Sequence, residues 1–164
     1  MKIWVMRHGE AGFNATSDSQ RTLTENGEMM AYTQGQWLGK RLLDQSIIFD
    51  KIIVSPYVRT QQTAEHLCQG MQAVGYMQSF ANIIETWQGI TPSGDPDNVL
   101  DYLSFLNEEG AKHILIVSHL PLVFDLVQHL TQHQQSVHFY PAVIAEVDWN
   151  SKTGHLITTA FPTK

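Results

Sequence analysis

A single cysteine, Cys68, stands among the 164 residues. No intramolecular disulfide can form, and a thiol-poor chain fits a reducing compartment. Charge is sparse: Asp, Glu, Lys and Arg make up 16% of the sequence, and ten Lys plus Arg against sixteen Asp plus Glu give a formal net charge of −6. That balance lacks the general basic character of a phosphate-backbone reader, so nucleic acid is not an expected partner. Long apolar runs are missing too. Residues 3–6 are the only apolar run before Arg7, far short of a signal-peptide core, and the fold is expected to start at Met1. The later apolar stretches around Ile114 and Val123 are interrupted by Ser118, His119 and Pro121. No membrane span is expected, and the expected location is the cytoplasm. There is no internal repeat and no long tract rich in proline or glycine; residues 92–96 form only a brief break.

What is present is a globular composition, 43% apolar, in a length that fits one domain over residues 1–164. A chain of this size buries roughly 70% of its unfolded surface and folds without staples. Residues 2–6 read as a buried strand that stops at Arg7, His8 and Gly9. Residues 24–44 read as a helix capped by Thr24, with Met30, Trp37, Leu38 and Leu42 on one stripe. Residues 51–54 form a second strand closed by Ser55 and Pro56, and residues 58–73 a helix with Arg59 in its first turn. A weaker strand is expected over 80–84. A helix then follows from Asp95 and Pro96 to near Gly110, then an apolar strand over 113–117 and an amphipathic helix over 120–133. Two alternating strands, 143–149 and 155–161, flank the turn NSKTG. Four strand–helix alternations before a terminal hairpin predict an α/β fold: a three-layer α/β/α sandwich with a mostly parallel central sheet and antiparallel C-terminal edge strands.

Ligands of such sheets bind outside the carboxyl ends of the strands. Arg7 and His8 follow the first strand, Arg59 comes shortly after the second, and Ser118 and His119 follow the fourth. Two guanidiniums and two imidazoles at one rim suit a compact dianion such as phosphate. Each arginine supplies forked, charge-assisted hydrogen bonds, and the amide of Leu120 at an expected helix start adds a backbone donor. Phosphoryl transfer needs mainly positioning and charge compensation, and a neutral imidazole is a competent nucleophile, so no metal or other cofactor is required.

The segment MRHGEA resembles the R-H-G signature of the histidine phosphatase (phosphoglycerate mutase-like) superfamily. IVSPYVRTQQTA is similar to its S-P-x-x-R-x-x-Q-T-A segment, and ILIVSHLPLV to the segment that carries its second histidine. The resemblance implies His8 as nucleophile, Arg7 and Arg59 as oxyanion clamps and His119 as transition-state stabiliser. Within the superfamily, SDSQRTLTENG, HLPLV and ITPSGD resemble segments of the short SixA-type phosphohistidine phosphatase branch, with Thr22 where that branch has proline. That likeness implies a phosphate contact for Arg21. Its substrates would be phosphorylated histidine-containing domains, either histidine-phosphotransfer domains or phosphocarriers of the phosphotransferase system, with inorganic phosphate as product. Larger members roof the site with inserted helices, for which this chain has no spare residues. Glu85, Asp18 and Glu10 are candidate general acids.

Two other functions compete: a phosphatase or mutase of small metabolites on the same fold, and a non-catalytic phosphate-binding adaptor. Other features are read as structural. His129 and His133, four apart with His138 nearby, look like a solvent-facing helix rather than a zinc site, so no metal is assigned. GQWLGKR is one residue short of a phosphate loop and lies within a helical pattern. Cys68 sits on an apolar stripe as packing. Trp87 is either a docking aromatic or a loop anchor.

Overall fold

The computed structural model describes residues 1–162. Its centre is a six-stranded sheet of β1 (Lys2–Arg7), β2 (Lys51–Val54), β3 (Ile84–Thr86), β4 (His113–Ser118), β5 (Ile144–Trp149) and β6 (Gly154–Ala160), in the order β3-β2-β4-β1-β5-β6. The first four of these neighbours run parallel, while β5 is antiparallel to β1 and β6 to β5. Four helices, α1 (Glu25–Gln45), α2 (Val58–Ala73), α3 (Pro96–Glu108) and α4 (Leu122–Leu130), complete the expected three layers.

Side-chain alternation along the strands builds the layers. Ile3 and Val5 of β1 pack with Val99 and Leu103 of α3 and Leu126 and Val127 of α4. Trp4 and Met6 face the other way, against Leu38 and Leu42 of α1 and Leu67 and Met71 of α2. Because both faces of the central parallel strands β1 and β4 are covered, their middles are continuously apolar, whereas the burial of β6 alternates. One carboxylate lies in this interior. Glu146 of β5 is fully buried, accepts the Trp4 indole N–H, and takes a forked pair from Arg41 at 2.6 and 2.9 Å. Arg41 foremost holds its carboxyl below the usual range against the cost of burial.

Helix signals in the sequence act as expected at two starts. Thr24 accepts from the Gly27 amide, and Asp95 accepts from the Asp97 amide with Pro96 in the first turn. Three boundaries differ. The strand expected over 80–84 begins at Ile84, because residues 80–83 form a turn in which the amides of Ile83 and Ile84 both donate to the Phe80 carbonyl. The helix expected from Leu120 begins at Leu122, with Pro121 at its cap; a residue before proline is biased out of the helical region. That helix ends at Leu130 rather than His133, since Gln132 and His133 take positive φ values of 51° and 61°.

The glycines of GQWLGKR face α2: a Cβ on Gly39 would lie 2.7 Å from a Val74 methyl and 3.0 Å from the Met71 Cα, and Gly35 is closer still. A Cβ on Gly35 would lie 2.1 Å from the Leu67 carbonyl oxygen, and one on Gly70 would lie 2.0 Å from that of Tyr32. Backbone therefore meets backbone where α1 crosses α2. Gly70→Ala is expected to destabilise the fold by about 1–3 kcal/mol through overpacking, read as a lower urea midpoint. Gly12→Ala, whose added carbon meets only a Thr24 methyl at 4.0 Å, is expected to stay within about 0.5 kcal/mol.

Candidate active site

Sheet register brings the separate segments to one edge. Arg7 pairs with Ser118 and Val54 with Val117, so β1, β4 and β2 end side by side with β4 in the middle. The His8 amide donates to the Ser118 carbonyl at 3.0 Å and the His8 carbonyl accepts from Ala142 at 2.9 Å, which continues the ladder one residue past the strand. Gly9 then lets the chain pass under α1: a Cβ there would lie 2.6 Å from the Gly27 carbonyl oxygen. The Gly9 amide donates to Thr63 Oγ1 at 3.1 Å, and that hydroxyl donates to the Arg59 carbonyl at 2.7 Å. The turn after β1 is thereby fastened to the first turns of α2.

The protons on His8 follow from its partners. Nδ1 lies 2.7 Å from the Gly9 carbonyl, which can only accept, so Nδ1 carries the proton. Nε2 is then the bare nitrogen, and Arg59 Nε donates to it at 3.3 Å. Burial foremost, with the nearby charges of Arg59, Arg7 and Arg21, pushes the His8 pKa down to about 4 despite the Gly9 bond. Neutral imidazole is the resting form. The His119 ring stands 5.2 Å from the His8 ring at 62°, and 5.0 Å from that of Tyr57. Its Nε2 is 2.8 Å from Ser55 Oγ, and burial together with His8 and Arg59 pushes its pKa down to about 3.

Among the described residues, two buried side-chain polar atoms have no hydrogen-bond partner, Arg7 Nε and His119 Nδ1, and both belong to this rim. Arg7 otherwise donates to the Phe139 carbonyl at 2.8 Å. Arg59, 4% exposed, gives its terminal nitrogens to the Asp18 carbonyl at 2.7 Å and the Asp18 carboxylate at 3.2 Å. Arg21 reaches the other Asp18 oxygen at 3.1 Å, donates to the Gly12 carbonyl at 2.8 Å and lies over the Phe13 ring at 4.1 Å. Asp18 thus bridges two of the three arginines.

The site so built gathers His8, Arg7, Arg59 and His119, with Arg21 attached through Asp18. Leu120 is not the helix-start donor expected. Its side chain, 39% exposed, lines with Arg7, Phe124, His138, Phe139 and Tyr140 a groove of about 370 Å³. The acid candidates are engaged elsewhere. Asp18 is held below its ordinary pKa by Arg21 first and by Arg59, which makes it a poor proton donor. Glu10 accepts from the Thr24 hydroxyl and the Asn26 amide at the start of α1. Glu85 accepts from the Tyr102 hydroxyl and pairs with Lys51 at 3.2 Å. His129 pairs with Asp97 at 3.2 Å, while His138 lies away in the groove beside Arg7. Burial raises the Cys68 pKa, and Trp87 packs on the core against Tyr102 as a loop anchor. Sequence reasoning missed Ser55 and Thr63 as members of this network. Their signal was positional, since Ser55 is the first residue after β2 and Thr63 is one helical turn beyond Arg59.

Comparison with known proteins adds to this geometry. Residues 3–104 match the family model of the Histidine phosphatase superfamily (branch 1). The chain is 43% identical over 159 residues to a phosphohistidine phosphatase SixA homolog of Haemophilus influenzae, covering 96% of this chain and 93% of that one. It is 35% identical over 147 residues to phosphohistidine phosphatase SixA of Escherichia coli, covering 90% and 84%. A solved structure of the protein histidine phosphatase SixA complexed with tungstate superposes with a TM-score of 0.84 at 32% identity, over 99% of this chain and 97% of that one.

Two neutral buried imidazoles impose a pH dependence. Unfolded, both titrate near the ordinary value of 6.5; folded, they titrate at about 4 and about 3. Between those values the unfolded state binds more protons, so stability falls as pH drops from about 6.5 towards 4. Urea midpoints are expected to decline over that window, and to decline less in His8→Asn, whose amide does not titrate. Equal slopes for the two proteins would contradict the assignment.

Proposed function

The chain belongs to the histidine phosphatase superfamily, and from that premise we propose that it is a protein phosphohistidine phosphatase working through a covalent phosphohistidine on His8. The observation that carries the reading is the bare Nε2 of a neutral His8, held beside Arg59 with its proton fixed on the far side of the ring. In the first step Nε2 attacks phosphorus and the P–N bond to the substrate imidazole breaks. The leaving imidazole takes a proton from solvent on its distal nitrogen. The Gly9 carbonyl stabilises the positive charge that develops on the phosphorylated His8 ring. Water then attacks phosphorus, inorganic phosphate leaves and neutral His8 is restored.

Arg7 and Arg59 are read as clamps on the equatorial oxygens, and His119 as a donor to one of them. Arg21 and Leu120 are read as substrate contacts. The exchange replaces one P–N bond by another, so it asks little of a general acid. The engagement of Asp18, Glu10 and Glu85 in other contacts is consistent with that demand. A sugar alkoxide as leaving group would ask for more.

For the substrate class we read a phosphohistidine side chain projecting from a protein domain, either a histidine-phosphotransfer domain or a phosphocarrier of the phosphotransferase system. The support is a rim that carries exposed apolar side chains: Phe13 is 82% exposed and Tyr140 64%, with Leu120 between solvent and groove. We read the chain as a single domain without an inserted cap, which leaves that rim open to a macromolecule. No helix among the described residues is long and apolar enough to cross a membrane. The single Cys68 supports a reducing cytoplasm as the place of work.

Added to a phosphorylated histidine domain, the protein is expected to accelerate release of inorganic phosphate. Equal rates with and without it would sink the reading. Phosphoglycerate and sugar phosphates, assayed alongside, are expected to be poor substrates. His8→Ala is expected to abolish turnover while keeping the fold, and rapid quenching of the wild type is expected to trap phosphate on His8. Arg59→Ala is expected to cost about 1.5–3 kcal/mol in kcat/KM, more than tenfold, through lost charged hydrogen bonds. Arg21→Ala should act mainly on KM.

A further inference from the structure

Ser55 is fully buried at the end of β2, and its backbone is held in place. Its carbonyl accepts from the Thr60 hydroxyl at 2.9 Å and the Gln61 side-chain amide at 2.8 Å. Its Oγ lies 2.8 Å from His119 Nε2 and accepts the Tyr57 backbone N–H at 3.3 Å. A hydroxyl has one proton to give, and two arrangements with neutral His119 are open. If His119 carried its proton on Nε2 and donated it to Ser55, the serine proton would be left without an acceptor inside the fold. Nδ1 would then also be a bare buried nitrogen without a donor. If Ser55 donates to Nε2 instead, its oxygen is satisfied on both sides, and the remaining unmatched group is an N–H at Nδ1. Each unsatisfied buried polar group is costly, and the second arrangement leaves one where the first leaves two, so the second is favoured. The Tyr57 and His8 rings, at 5.0 and 5.2 Å, hold the plane of the imidazole.

We infer that Ser55 is a positioning residue that sets the tautomer of His119, so that the ring presents an N–H from Nδ1 to a phosphoryl oxygen while remaining uncharged. The inference rests on the reading of His119 as a donor to the transferring group. It adds the reason for that role: a neutral imidazole can donate from one nitrogen only, and the hydroxyl behind it decides which. The same rim holds Arg7 Nε, the other buried group without a partner among the described residues, and the Arg7 charge acts on His119. An oxygen placed to take the His119 proton has a charged donor within the same rim.

The test reads the tautomer directly and does not depend on turnover. Long-range ¹H–¹⁵N spectra of the free wild-type protein near neutral pH, with His119 signals identified by their loss in His119→Gln, are expected to show Nδ1 protonated and Nε2 bare. Nε2 protonated would overturn the inference. Ser55→Ala is expected to shift His119 towards the Nε2–H form and to lower kcat on a phosphorylated histidine domain about tenfold, less than deletion of a whole oxyanion donor costs. KM should stay within about twofold, because Arg7, Arg21 and Arg59 are untouched. Ser55→Thr, which keeps the hydroxyl, is expected to restore both the tautomer and kcat. An alanine variant with unchanged tautomer and kcat would also overturn the inference. Should Ser55→Ala not fold, the wild-type spectrum decides. Should the wild type fail to act on phosphohistidine, the proposed function falls while the tautomer remains measurable.

Discussion

The hydrogen bond from His8 Nδ1 to the carbonyl of Gly9 determines where the proton of that imidazole sits, and much of the surrounding structure follows from keeping it there. With Nδ1 committed, Nε2 has a free lone pair and Arg59 can approach it as a donor without an intervening proton. Burial and three neighbouring arginines keep the ring from acquiring a second proton. The carbonyl must therefore be held to within a fraction of an ångström. Gly9 is bonded through its amide to Thr63, and through Thr63 to Arg59, so the acceptor and the arginine are members of one hydrogen-bonded loop.

That requirement reaches far into the fold. The turn after β1 can approach α2 only if α1 comes very close, and Gly9 and Gly27 are the points where side chains would prevent it. The same economy recurs along the seam of α1 and α2 at Gly35 and Gly70. Glycine costs helix propensity, roughly 1 kcal/mol against alanine. The return is two helices in backbone contact over one face of the sheet, which gives Arg59 a rigid base in the first turn of α2.

How legible this was in the sequence depends on the range of the interaction. Strand ends are readable because buried parallel strands are continuous apolar runs, so Arg7, His8 and His119 can be placed at the rim from the sequence alone. Arg59 was readable because helical spacing put it one step inside α2. Local turn chemistry is harder to read: Phe80, Ala81 and Ile83 carry apolar side chains suited to a strand, yet residues 80–83 turn, and β3 starts only where it meets β2. From sequence, Glu85 is one of three candidate acids. It sits in the middle of the edge strand β3, paired with Ile53 and held by Lys51 and Tyr102, a long-range arrangement with no local signature. The glycines of α1 are visible in the sequence as a pattern, but their partner surface on α2 is not, so the sequence alone excludes a phosphate loop without revealing the packing role. Asp18 and Arg21 lie three residues apart and pair locally; that Asp18 also holds Arg59, 41 residues away, depends on the fold.

Asp18 also settles the charge balance of the rim. Three guanidiniums, from Arg7, Arg21 and Arg59, face one carboxylate and two neutral imidazoles, which leaves an excess of two positive charges on a molecule whose net charge is −6. A phosphoryl dianion neutralises that excess. If either histidine were protonated at rest, the rim would overshoot, and protonation of His8 would also occupy the bare Nε2 proposed as nucleophile; if Asp18 were absent, Arg59 and Arg21 would lack their common anion and the orientation it gives them. Asp18, whose side chain is 56% exposed, is weakly enough held by the surroundings to yield its hydrogen bonds to an arriving phosphate. Arg59 and Arg21 are therefore oriented in the free protein by an anion the protein supplies itself, and on the proposed reading a substrate's oxygens would enter a set of donors already aimed.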